Sequence, residues 1–265
     1  MEVIGYFAAA LIGISLGLIG GGGSILTVPV LVYIFSVEPT LATAYSLFIV
    51  GSTALVGGIR SAMAKMVDFR TAIVFAIPSF ITVFLTRRYL IPVIPDELGT
   101  IFGFMITKDL AIMVFFALIM LVAAYSMIRE KGKADAEDGP IQYNYPMIVL
   151  EGVVVGLLTG IVGAGGGFLI IPALVLFAKL PMKKAVGTSL MIIAAKSLIG
   201  FLGDIGSGSA IDYSFLIVIS SIAIAGIFIG IYFSKFISSK KLKVGFGWFV
   251  LAMGTYIIIN EIFLS

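Results

Sequence analysis

Apolar runs follow one another almost end to end in this chain, at residues 3–20, 25–37, 41–58, 71–86, 110–128, 147–162, 168–177, 185–203, 215–233 and 244–259. Several reach the ~17 to 25 residues that a bilayer-spanning helix needs. Charged residues make up only 12% of the chain, about half the share in a soluble domain. Lipid is therefore the main solvent, and in lipid a spanning segment must pair its backbone internally, as a helix does. The fold class expected is all-α, a polytopic integral membrane protein. The first run has no basic segment before it and no small-residue cleavage pattern after it, so it is read as a helix of the mature chain and not as a signal peptide.

Two of the runs are broken by glycine at matching places, Gly20-Gly21-Gly22-Gly23-Ser24 and Gly163-Ala164-Gly165-Gly166-Gly167. A shift of 143 residues aligns residues 13–58 with 156–201 without a gap. It pairs Gly13 with Gly156, Gly17 with Gly160, Gly20 with Gly163, Pro29 with Pro172, Ser46 with Ser189 and Gly57 with Gly200. Unrelated apolar segments do not bring glycine, proline and serine into one register, so the unit is read as duplicated. Val67-Asp68-Phe69 and Ile211-Asp212-Tyr213 continue the correspondence one residue out of step. The chain then divides into a first transmembrane repeat at residues 1–128, a polar cytoplasmic linker at 129–145 read as solvated and mobile, and a second transmembrane repeat at 146–265.

Residues 3–36 drawn as one straight helix would be about 51 Å long, against a hydrocarbon core of about 30 Å. The glycine cluster is where the chain reverses, and a short helix beginning near Ser24 or Ile25 returns; residues 147–179 repeat the pattern. Pro29 and Pro172 would limit or kink these short helices. Each repeat becomes a glycine-broken re-entrant helical hairpin plus three transmembrane helices, and that odd number of crossings inverts one repeat against the other. Loop charges agree. Inversion gathers Arg60, Lys65 and Arg70, then Arg129, Lys131 and Lys133, then Lys179, Lys183 and Lys184, then Lys235, Lys240, Lys241 and Lys243 on one side, which the positive-inside rule makes cytoplasmic. Both termini are then outside, and only Arg87, Arg88 and Lys108 lie on the wrong side.

Backbone groups freed by a glycine break cannot face hydrocarbon, and paired breaks in corresponding halves mark the substrate sites of transporters. The short helices also begin with unpaired N–H groups and partial positive charge, which attract anions. Gly20, Gly21, Gly22, Gly23, Ser24, Gly163, Gly165, Gly166 and Gly167 are therefore the candidate binding residues. Gly13, Gly17, Gly57, Gly156, Gly160 and Gly200 are spaced singly and read as helix-packing positions. Lys196 lies roughly 18 Å along its helix from Lys184, far from either end. It is a candidate anion contact or a partner for Asp204, with snorkelling to the outer interface as the alternative. Ser46, Thr188 and Ser189 offer hydroxyls that could donate to an oxyanion or bond back to their own helices. Glu151 lies near the inner end of its span, where solvation accounts for it and proton coupling is the alternative.

Other chemistries are excluded by what is present. The net charge of +3 is too small and dispersed for nucleic acid. The chain has no cysteine and no histidine, and no cofactor, metal site or catalytic constellation is expected, so it is not read as an enzyme. Gly163-x-Gly165 lacks the strand and acid of a dinucleotide fingerprint, and no P-loop Lys-Ser/Thr follows either cluster.

The glycine break with Pro172 after it, and Ala185-Val186-Gly187-Thr188-Ser189-Leu190, resemble the TauE/SafE sulfite exporters, also called the toluene sulfonate uptake permease family. The first half departs from the pattern, with Ala44-Tyr45-Ser46-Leu47 in place of Gly-Thr-Ser-Leu. The resemblance implies a secondary transporter of sulfite, sulfonate or a similar organosulfur anion in a bacterial or archaeal plasma membrane, working by alternating access. The partners expected are a small anionic substrate and the lipid bilayer; coupling to a proton or cation and assembly as a homo-oligomer are left open. An anion channel and a non-transporting membrane sensor are the alternatives.

Overall fold

A computed structural model describes residues 2–101, 104–129, 145–163, 165–176, 178, 180–205, 211–234, 236 and 239–263. The linker expected at 129–145 lies almost wholly outside the described residues, as does Ala164.

The first half opens with α1 (Glu2–Ile19), a 3-10 turn (Gly20–Leu26) and the short α2 (Thr27–Tyr33). It continues with α3 (Pro39–Met63) and α4 (Phe69–Leu85), which runs through a π-helical segment (Thr86–Leu90) into α5 (Ile91–Val93). Strands β1 (Glu97–Ile101) and β2 (Phe104–Thr107) precede α6 (Lys108–Arg129). The second half repeats the order with α7 (Tyr145–Val162), a glycine break, α8 (Gly167–Leu176), α9 (Met182–Asp204), α10 (Tyr213–Phe233) and α11 (Ser239–Phe263).

Among the described residues, six helical stretches are long and apolar enough to cross a membrane: Pro39–Met63, Phe69–Val93, Lys108–Tyr125, Tyr145–Val162, Lys183–Asp204 and Tyr213–Phe233. Ile4–Ile19 and Gly23–Tyr33 are apolar but shorter. Ile73, Ile77 and Ile81 on α4, Leu118 and Val122 on α6, and Ile217 and Ile229 on α10 are exposed along the outside. Water would penalise such a belt, whereas lipid tails do not. The chain is a mostly helical, multi-pass membrane protein.

One expectation needs refinement. The fold is mostly but not wholly helical: β1 and β2 form an antiparallel hairpin, with Glu97 opposite Thr107 and Ile101 opposite Phe104. It interrupts what otherwise reads as a helix-to-helix loop, and Lys108 pairs with Asp96 at its base, 3.4 Å apart. Pro29 is the third residue of α2, and Pro172 lies within α8.

Each major helix pair joins the two halves. α1 lies along α10, α3 along α9, α4 along α7 and α6 along α11. Small residues set the closeness of the first pair. A Cβ at Gly13 would collide with the Ala223 carbonyl, and one at Gly230 would fall 2.9 Å from the Gly17 Cα. Gly152 and Gly156 of α7 meet the Phe75 and Ser79 carbonyls of α4 in the same way. These glycines take the packing role that single spacing suggests.

Helix starts are also fixed across the halves. Asp68 and Asp212 cap α4 and α10, accepting from the Thr71 and Phe215 N–H at 2.8 and 3.0 Å. The Asp68 N–H donates to Thr188 Oγ1 of α9 at 2.9 Å, and the Asp212 N–H donates to the Tyr45 hydroxyl of α3 at 2.7 Å. Asp109 at the head of α6 accepts from the Thr40 N–H in the first turn of α3.

Candidate functional site

The two glycine breaks meet. Built on Gly21, a Cβ would lie 2.5 Å from the Gly167 Cα, and one on Gly167 would overlap the Gly21 backbone. No side chain fits between the two tips. Gly20, Gly163, Gly165 and Gly166 have φ of 69°, 73°, 65° and 60°, the left-handed region that L side chains avoid. The first break passes through seven residues of 3-10 helix, longer than such helices usually run and a common mark of a hinge.

The tips are flanked crosswise. Gly20 lies against Val186 of α9, and Gly163 against Thr43 of α3; these are equivalent positions under the 143-residue shift. Ser24 is fully buried, its hydroxyl donates to the Gly21 carbonyl at 2.8 Å, and a Cβ on Gly165 would stand 3.3 Å from its Oγ. The second tip carries the charge. Lys196 is fully buried, and its Nζ would lie 2.7 Å from a Cβ at Gly166. Nζ donates to Thr159 Oγ1 at 2.8 Å, so its recorded partner is neutral. Snorkelling does not describe this side chain, since Nζ turns inward to the tip.

Asp204 is not the partner of Lys196. It accepts from Arg87 Nε at 2.9 Å. The expectation that Arg87 is a misplaced loop charge is likewise corrected: its side chain has no exposure and sits in the π-helical segment that ends α4. Arg87 Nη1 also donates to Thr43 Oγ1 at 2.8 Å and to the Gly160 carbonyl at 3.2 Å. Removing one partner of such a buried pair costs about 3–5 kcal/mol. Thr159, Thr43 and Arg87 are the residues that sequence reasoning missed. Arg87 had a signal, its conflict with the loop-charge bias, whereas Thr159 is one hydroxyl in an apolar run.

The remaining candidates lie elsewhere on α3 and α9. Thr188 holds the start of α4, and Ser189 Oγ donates to the Val186 carbonyl at 2.8 Å. Ser46 Oγ is buried without a hydrogen-bond partner, as is Ser197 Oγ beside Lys196. Glu151 is half-buried on α7, two turns from its start. Gly22 and Gly23 lie inside the 3-10 turn, and a Cβ at Gly23 would strike the Ser15 and Leu16 backbone of α1.

A family model described as sulfite exporter TauE/SafE matches residues 6–257. The chain belongs to the TauE/SafE sulfite exporter family. Among relatives of this TauE/SafE chain is a probable membrane transporter protein of Xylella fastidiosa, 30% identical, with 95% of this chain and 92% of the relative covered. Another, from Methanocaldococcus jannaschii, is 27% identical over 94% of this chain and 92% of its own length. The probable membrane transporter YunE of Bacillus subtilis is 31% identical over 72% of this chain and 73% of its own. No solved structure matches. The protein is a membrane transporter of the TauE/SafE type, and neither family nor relatives indicate a catalytic function.

Proposed function

We propose that this protein is a secondary transporter for a small sulfur-containing oxyanion, such as sulfite or a short sulfonate, bound where the two glycine tips meet. The observation that carries the reading is Lys196: a wholly buried Nζ beside Gly166, whose recorded partner is the neutral Thr159 hydroxyl. A buried cation in a spanning helix is costly without countercharge. An arriving oxyanion supplies that charge, and glycine lets it approach the backbone donors of the second tip.

The two repeats, residues 1–128 and 146–265, are inverted in this reading, with both termini outside the plasma membrane. The crossed helix pairs and crossed capping hydroxyls support that symmetry, and so do the loop charges. Alternating access rocks one repeat unit against the other about the tips, where the 3-10 turn can bend. Export follows from electrostatics, since an inside-negative potential favours outward movement of each negative charge by about 2.3 kcal/mol per 100 mV.

The test is flux of sulfite, thiosulfate, sulfate and short sulfonates in proteoliposomes, alongside Lys196→Ala. Saturable flux that the variant loses supports the reading. Single-channel currents would replace the transporter with a channel, and absence of flux for every anion would leave a sensor.

A further inference from the structure

Arg87 is a second buried cation, and the proposed transport reaction has not used it. Its Nε and Nη1 are occupied by Asp204, Thr43 and Gly160, but Nη2 is buried with no acceptor among the described residues. Both Nη2 hydrogens belong to the planar fork that suits an oxyanion. Thr43 Oγ1 accepts from Arg87 while donating its own proton to the Thr40 carbonyl at 2.7 Å, so it is already oriented.

The equivalent place in the other half has no such group. Under the repeat shift, Thr43, Gly160 and Asp204 correspond to Val186, Gly17 and Ser61, and Arg87 corresponds to Ile231 when the one-residue step after α3 is allowed for. A Cβ at Gly17 would stand 2.7 Å from the Ile231 backbone N, so the same close helix contact is made there around an aliphatic residue. Packing therefore does not require an arginine and a carboxylate at this position.

Their place on the route matters. Lys196 and Asp204 are both on α9, about 12 Å apart along its axis. Thr159, which holds Lys196, and Gly160, which holds Arg87, are neighbours on the last turn of α7. An anion leaving Lys196 towards the end of α9 meets Arg87 next.

We propose that Arg87 Nη2, in a guanidinium fork that Thr43 holds through Nη1, is a second subsite for the transported oxyanion, and that Asp204 is the internal carboxylate which the anion displaces from Arg87. This inference rests on the transport reading above. An oxyanion with two oxygens in one plane can take the Nε/Nη2 edge, the edge whose Nε Asp204 now uses. When the anion leaves, Asp204 returns and the guanidinium is never left without countercharge. The pair thus works as a relay that releases what it binds.

The test uses the purified full-length protein with sulfite and methanesulfonate as probes, in equilibrium binding and in proteoliposome flux. Asp204→Asn removes the internal competitor, so anion binding should tighten three- to tenfold while flux slows. Arg87→Gln alone would take the Arg87 countercharge from the Asp204 carboxylate, so the informative variant is Arg87→Gln with Asp204→Asn, which removes both charges together. It should stay monodisperse, keep binding at the Lys196 site and lose at least tenfold in flux. Flux within twofold of wild type in this double variant, or weaker binding in Asp204→Asn, overturns the subsite and leaves the Lys196 site standing. If the wild-type protein neither binds nor carries either probe, the transport reading and the subsite fall together.

Discussion

The first glycine tip is neutral and self-contained, whereas the second is surrounded by charge. Ser24 bonds to its own tip through the Gly21 carbonyl, and Ser15 reaches the Ile12 carbonyl behind it. At the second tip the corresponding volume holds Lys196 on Thr159, and the next residue of α7, Gly160, accepts from Arg87, which pairs with Asp204. Under the repeat shift Lys196 and Thr159 replace Thr53 and Leu16. The Thr53 hydroxyl donates to the Ile49 carbonyl at 2.6 Å, within its own helix. Both halves thus keep the bend, and the lysine, arginine and carboxylate lie beside the second.

The largest effect expected is from Gly166→Leu. The side chain would have to occupy the space of Lys196 and Thr159 from a left-handed backbone, so flux should fall more than a hundredfold with membrane insertion intact. Gly21→Leu should match it, because its Cβ enters the opposite tip; normal flux in both would dissolve the site. Lys196→Met should cost at least tenfold in flux, whereas Thr53→Val, its mirror, should change flux less than twofold. Equal losses in the two would mean that the charge asymmetry has no part in transport. Thr159→Val should raise KM three- to tenfold by releasing Lys196, without lowering the expression level. Ser24→Ala should be the mildest, costing about 1 kcal/mol of stability for the lost hydrogen bond, read as a small drop in Tm with flux unchanged.

Much of this architecture is legible in the sequence because lipid restricts the options. The apolar runs foretell the helices, and the 143-residue register places the two breaks at equivalent points. Asp68 and Asp212 announce their helix starts as caps. The β1–β2 hairpin is not legible, since Glu97 to Thr107 mixes polar and apolar residues around Gly99 without a clean alternation. Lys196 stands out as a charge deep in a span, but its neighbour is a threonine 37 residues earlier in the chain, which no local pattern connects to it. Arg87 fails for a different reason. Three residues on three other helices, Thr43, Gly160 and Asp204, hold it, and a hydropathy profile reads them as unrelated.

The crossed helix pairs have a consequence for how the protein is made. While the ribosome is still synthesising the linker, α1, α3, α4 and α6 are already in the bilayer, yet their principal neighbours α10, α9, α7 and α11 have not emerged. Helix insertion and helix association are separable stages in lipid, so the first half must wait as loosely associated spans, and the bond from the Asp68 N–H to Thr188 forms only once α9 arrives. The finished transporter is therefore assembled only near the end of translation, and two separately expressed halves should be able to find one another in the membrane.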